Sequence, residues 1–161
     1  MSDAAIVEPL TLTGVAELEA HAGQELGASD YYLVSQEDVN TFAELTGDHN
    51  WIHVDVERAA ASDFGGTIVH GFFTLSLAPR LFDRVVRIAG FEQALNYGLN
   101  KVRFPAPLPV GKKVRLRVTL AEVRPAGDGA QCVFAIAFER DGGEKPVCVA
   151  EWVARYGAPS V

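Results

Sequence analysis

Apolar residues recur along this chain with two periods. Over 99–104, 113–123, 131–140 and 146–156 they fall at every second position, and Pro and Gly separate the runs. Period two sends successive side chains to opposite faces, so each run predicts a strand with one buried and one wet face. Val114, Leu116, Val118 and Leu120 alternate with Arg115, Arg117 and Thr119 in this way. Residues 31–34 are aromatic and β-branched and predict a shorter first strand. The period then lengthens. Ser35 with Asp38 three residues on resembles a capping box, and Val39, Phe42, Ala43 and Leu45 form one helical stripe that Gly47 ends. A loop follows over 48–54, Asp55 caps a short alanine-rich helix reaching Ala61, and Gly65 and Gly66 break it. Residues 71–88 form the most apolar long segment, with Phe72, Phe73, Leu75, Leu77, Leu81, Phe82, Val85 and Val86. A stripe that wide predicts a helix buried on most sides, kinked at Pro79.

Residues 1–28 carry a weak helical pattern over 15–22 and glycines at Gly23 and Gly27, which reads as an N-terminal arm packing on a single domain over 29–161. The order of strand, helices, long apolar helix and meander predicts an α+β fold. An antiparallel sheet wrapped around a long central helix buries both apolar surfaces. A length of 161 residues suits one such domain, hence one site per subunit.

Composition narrows the partners. With 48% hydrophobic and 22% charged residues the chain reads as an ordinary globular protein. The net charge of -7 argues against a nucleic-acid partner, which would need a basic face, and leaves room for a local basic patch that meets a small phosphorylated ligand. No apolar run approaches the ~20 residues needed to cross a bilayer, and the start lacks a basic segment followed by an apolar one. No membrane association is expected, and a cytoplasmic location is the default. Cys132 and Cys148 both fall in alternating apolar runs and read as buried free thiols rather than a disulfide.

The candidate chemistry lies between Phe42 and His53, in F-A-E-L-T-G-D-H-N-W-I-H. Asp48 and His53 share a loop leaving a helix C-terminus, so both can turn toward one point. A carboxylate and an imidazole sharing a water could take a proton from it and return one to carbon, the two needs of adding water to a double bond. Taken alone, the pair is better read as a turn-capping aspartate and a hydrogen-bonded loop histidine. A second segment shifts the balance. Residues 66–71 lead into the apolar helix and place Gly71 in its first turn, where amides lack intrahelical partners and could receive a thioester oxygen as it gains enolate charge. The plainer reading of His70 and Gly71 is a tight helix start with His70 satisfied by backbone. His49 has the spacing of a solvent-facing side chain. His49, His53 and Asp48 raise the question of a metal, but no cysteine ligand is near and Gly47 stops the helix before them, so none is expected.

These residues resemble the MaoC-like, or hydratase-2, family of (R)-specific enoyl-CoA hydratases. Phe42, Leu45, Thr46, Gly47, Asp48, Asn50, Ile52, His53 and Ala59 fit its spaced pattern, and Phe64, Gly65, Ile68, His70 and Gly71 fit a later F-G-x-x-I-x-H-G segment. The likeness spans about 31–156. It implies a hot-dog fold, a homodimer, no cofactor, and reversible hydration of trans-2-enoyl-CoA to (R)-3-hydroxyacyl-CoA. Asp48 and His53 would activate water, the Gly71 amide would form the oxyanion hole, and Asn50 would brace the loop. Trp51 stands where the family has proline. Pro79 stands about where some members have a dyad-orienting serine, which leaves Ser76 as the nearest hydroxyl. Lys101 and Arg103 could meet CoA phosphates, though solvated edge residues are the plainer reading. The resemblance also admits a dehydratase of 3-hydroxyacyl chains on acyl carrier protein, disfavoured because an acidic chain suits an acidic carrier poorly, a hot-dog thioesterase, and a non-catalytic acyl-CoA-binding protein.

Overall fold

The computed structural model describes residues 8–157. Its elements are β1 (Leu10–Thr13), α1 (Gly14–Ala20), β2 (Gln24–Ala28), β3 (Tyr32–Leu33), α2 (Gln36–Thr46), α3 (Trp51–Val54), α4 (Val56–Ala60), α5 (Gly71–Ser76), α6 (Ala78–Phe82), β4 (Val86–Ala89), β5 (Gln93–Arg103), β6 (Lys113–Ala126), β7 (Gly129–Arg140) and β8 (Cys148–Gly157). The alternating runs become antiparallel strands in a six-stranded sheet of order β2-β6-β7-β8-β5, with β3 also paired to β6. Their inward residues, Val114, Leu116, Val118, Leu120, Phe134 and Phe138, are completely buried. Phe73, Leu77, Leu81 and Phe82 of the helical segment share that core, with Phe82 meeting Phe134 edge to face at 4.9 Å. This is the expected α+β arrangement, a sheet wrapped on central helical residues.

The long helix is not one helix. α5 and α6 meet at Leu77, whose N–H is shared between the Phe73 and Thr74 carbonyls at 3.2 Å each. Pro79 has no N–H to return to the turn before it, so the break falls where the kink was expected. After α6 the chain turns and residues 86–88, read as helix, fall in β4. This strand pairs in parallel with β1, matching Leu10 to Val86 and Thr13 to Ala89. β-branched Val86 and Ile88 favour the strand once a partner strand is present.

The expected N-terminal arm takes a larger part. β2 hydrogen-bonds antiparallel to β6 inside the main sheet, and Leu12 and Leu18 lie in the core. The described part of the stretch before residue 29 therefore completes the sheet rather than resting on it. Residues 1–7 of that arm and 158–161 at the other end lie outside the described residues. Cys132 and Cys148 are free and buried, and burial pushes both thiols up to about 12, which keeps them protonated and inert. No helix among the described residues is long and apolar enough to cross a membrane.

Candidate active site

The site begins with how α2 stops. Ser35 and Asp38 form the reciprocal capping box at its start. Gly47 takes a left-handed φ of 77° at its end, with its N–H on the Ala43 carbonyl at 2.8 Å. That turn throws 48–50 across the start of α5. There the Asp48 carboxylate accepts from the Asn50 N–H at 3.3 Å, and the Asn50 side chain caps α3 by accepting from the Ile52 N–H at 3.3 Å. Asn50 thus ties residue 48 to the start of α3.

α3 carries His53 inward, to 8% exposure. Its Nδ1 donates to the Ile68 carbonyl at 2.7 Å. A carbonyl only accepts, so the proton sits on Nδ1 and the neutral ring presents a bare lone pair on Nε2. Burial holds the His53 pKa below the ordinary imidazole value; the Ile68 bond and Asp48 oppose that shift, and His70 adds to it. His53 is therefore neutral near pH 7 and able to accept a proton. Gln36 supports it from behind, donating to the His53 carbonyl at 2.8 Å and accepting from the Thr67 hydroxyl at 2.5 Å.

The residue missed in the candidate site is His70. It is 2% exposed, its Nε2 donates to the Asp48 carbonyl at 2.9 Å, and its ring stacks on His53 at 3.8 Å with 26° between planes. One ligating atom each from Asp48, His53 and His70 lies within 4.8 Å of the others. That spacing would suit a metal ion, but stacked rings hold their in-plane lone pairs side by side, and binding one ion at about 2.1 Å from both nitrogens would require a ring to turn. His49 stands outside the cluster, exposed and bonded to Glu44 at 2.9 Å. Its link to Glu44 raises its pKa.

Gly71 follows His70 directly. The first N–H to enter the ladder of α5 is that of Thr74, on the His70 carbonyl at 3.0 Å, so the Gly71 amide lies outside it. A Cβ on Gly71 would lie 3.0 Å from the Phe104 ring, so Phe104 fills the space beside the Cα. The remaining candidates are not gathered here. Ser76 is exposed and donates to the Phe73 carbonyl at 2.7 Å, Arg103 donates to the Val102 carbonyl at 2.7 Å, and Lys101 pairs with Glu151 at 3.4 Å. A cavity of about 490 Å³ between Leu95, Arg124 and Arg155 is lined by none of the cluster.

Comparison with known proteins places the chain in a family. Residues 17–134 match the family described as MaoC like domain. The chain is 52% identical over 149 residues to the 3-hydroxyacyl-thioester dehydratase Z of Mycobacterium tuberculosis (strain ATCC 25618 / H37Rv), covering 92% of this chain and 99% of that one. It is 39% identical over 142 residues to Nodulation protein N of Rhizobium leguminosarum bv. viciae, covering 86% and 88%. Among solved structures it is similar to the unliganded R-hydratase PhaJ1 from Pseudomonas aeruginosa, with a TM-score of 0.73 and 24% identity over 91% of this chain and 86% of that one. At that identity the likeness establishes the shared hot-dog fold.

Proposed function

This chain belongs to the MaoC-like domain family, and from that premise we propose that it is a hydro-lyase that interconverts trans-2-enoyl-CoA and (R)-3-hydroxyacyl-CoA. The observation that carries the reading is the buried His53, its Nδ1 bonded to Ile68 so that Nε2 is left as an acceptor, with a ring nitrogen and an Asp48 carboxylate oxygen within 4.8 Å of each other. In hydration, a water held by Asp48 and His53 gives a proton to the pair as its oxygen bonds to C3. The C2=C3 electron pair moves toward C2 and the thioester oxygen, where the Gly71 N–H meets the developing charge. The pair then returns one proton to C2, so water adds across the bond and the site returns to its starting state. No cofactor is needed.

In this reading Asn50 holds the loop in place, and Ser76 and Arg103 are assigned to substrate binding. Subunit pairing is proposed along β5, which among the described residues is an edge strand bonded to β8 alone, with Leu95, Tyr97 and Leu99 at 47, 56 and 44% exposure. The enzyme would be a cytoplasmic homodimer. The relative's name specifies only a thioester, so a 3-hydroxyacyl chain on acyl carrier protein is the second substrate reading. The net charge of -7 opposes docking of an acidic carrier protein.

The test follows absorbance at the enoyl-thioester band with crotonyl-CoA. Asp48→Asn and His53→Gln should each lower kcat by ~10²–10⁴-fold. A slow wild type matched by both variants would instead mark a non-catalytic acyl-CoA binder, and faster turnover of crotonyl-acyl carrier protein would reassign the carrier.

A further inference from the structure

We propose that His70 is a positioning residue that sets Asp48, His53 and the Gly71 amide in register through one side chain. The inference deepens the hydro-lyase reading and rests on it for its kinetic consequence. His70 is the N-cap residue of α5, yet its side chain makes no capping bond there. Its Nε2–H goes instead to the main chain of Asp48, 22 residues earlier, at 2.9 Å. Its ring stacks on His53 at 3.8 Å and lies tilted against Phe42 at 5.1 Å. Phe42 in turn stacks on Phe73 of α5 at 5.0 Å.

The remaining nitrogen is informative. His70 Nδ1 is buried and has no partner among the described residues. An unpartnered polar atom opposes folding, and an apolar ring of similar shape would avoid it. A residue chosen for packing alone would carry no such nitrogen. What histidine offers here is a flat ring and a directed donor together: phenylalanine has the first, glutamine the second. The stack and the bond from Nδ1 to the Ile68 carbonyl together fix the plane of His53. The bond to Asp48 fixes the main chain that carries the carboxylate. Because Gly71 is the next residue, the same backbone that anchors His70 presents the oxyanion amide.

Two variants separate the two functions. His70→Phe keeps a ring and loses the donor; His70→Gln keeps a donor and loses the stack. Three readouts are taken for each: thermal unfolding, kcat and KM with crotonyl-CoA, and the ring ¹⁵N shifts of His53 through a pH titration. The titratable groups acting on that ring are His70 and Asp48. Positioning predicts a folded protein with kcat lowered by about 10²-fold, KM little changed, and a His53 titration displaced in both variants. Wild-type kcat with an unmoved His53 titration in a folded variant overturns the proposal. So does a loss of activity that only follows the loss of folded protein. A wild type inert toward thioesters whose His53 signals still move with His70 would overturn the hydro-lyase reading and leave the positioning role standing.

Discussion

The β6–β8 sheet and the loop-and-helix side of the molecule bury side chains by opposite rules. In the sheet the inward positions are hydrocarbon, and the charges face outward and are paired: Glu139 accepts from Arg115 at 2.9 Å and from Arg117 at 2.8 Å. Around α3 and α5 the buried set includes His53, Thr67, His70 and Thr74, with one ring nitrogen left unpartnered. The sheet is assembled for stability. The other side keeps polar groups out of water at a cost to stability, the usual mark of a working site.

The sharpest break between the two regions comes from the dyad and from His70. Asp48→Asn and His53→Gln should cost ~10²–10⁴-fold in kcat while thermal unfolding changes little, and the His70 variants about 10²-fold. A collapse of the fold in Asp48→Asn would show that the exposed Asp48 loop is structural and would erase the contrast. Next comes the reverse case. Phe134, fully buried between Phe82 and Trp152, should cost about 3–5 kcal/mol of stability as Phe134→Ala, measured by urea unfolding, with kcat per folded molecule unchanged.

The regions also differed in how far the sequence revealed them. Strands β6, β7 and β8 were legible because each inward residue obeys the period-two pattern without help from elsewhere. Asp48, His53 and Gly71 were legible from the spaced motif. β4 was not: Val86 and Ile88 become strand only because β1, more than seventy residues earlier, lies beside them. The first half of β5 was missed for a similar reason, since Gln93–Gly98 has little alternation and takes its order from β8 with a register shift near Asn96. His70 was visible as a letter but not as a site member. The expectation of a backbone bond holds for its Nε2, but the carbonyl belongs to Asp48, and no local pattern encodes a contact across 22 residues.

Acid should separate the regions by pH window. Burial holds the His53 pKa below its unfolded value of about 6.5, so as pH falls through that value the unfolded chain binds a proton that the folded chain does not. Stability therefore drops as pH falls below about 6.5 and stops dropping once the folded His53 is protonated. His53→Gln lacks this loss, so melting curves from pH 7.5 to 5 should show wild type losing ground to the variant. Curves that stay parallel would place His53 in water.

The smallest effect lies on the outer face of the sheet. The Glu139 pKa is lowered first by its hydrogen bond with Arg117, against burial, and then by its bond with Arg115. Its contribution is therefore present above the unfolded glutamate value and lost as pH falls through the lower folded one. Arg115, Arg117 and Glu139 are each about a third exposed, so solvent screens the cluster and Glu139→Gln should cost at most about 1 kcal/mol. Because the Debye length shrinks to about 3 Å at 1 M salt, that difference should narrow there, while kcat stays at the wild-type value in any buffer. A change in kcat would mean that the ion pairs on the outer sheet face reach the site through the core, and the division between a stabilising sheet and a working loop would have to be redrawn.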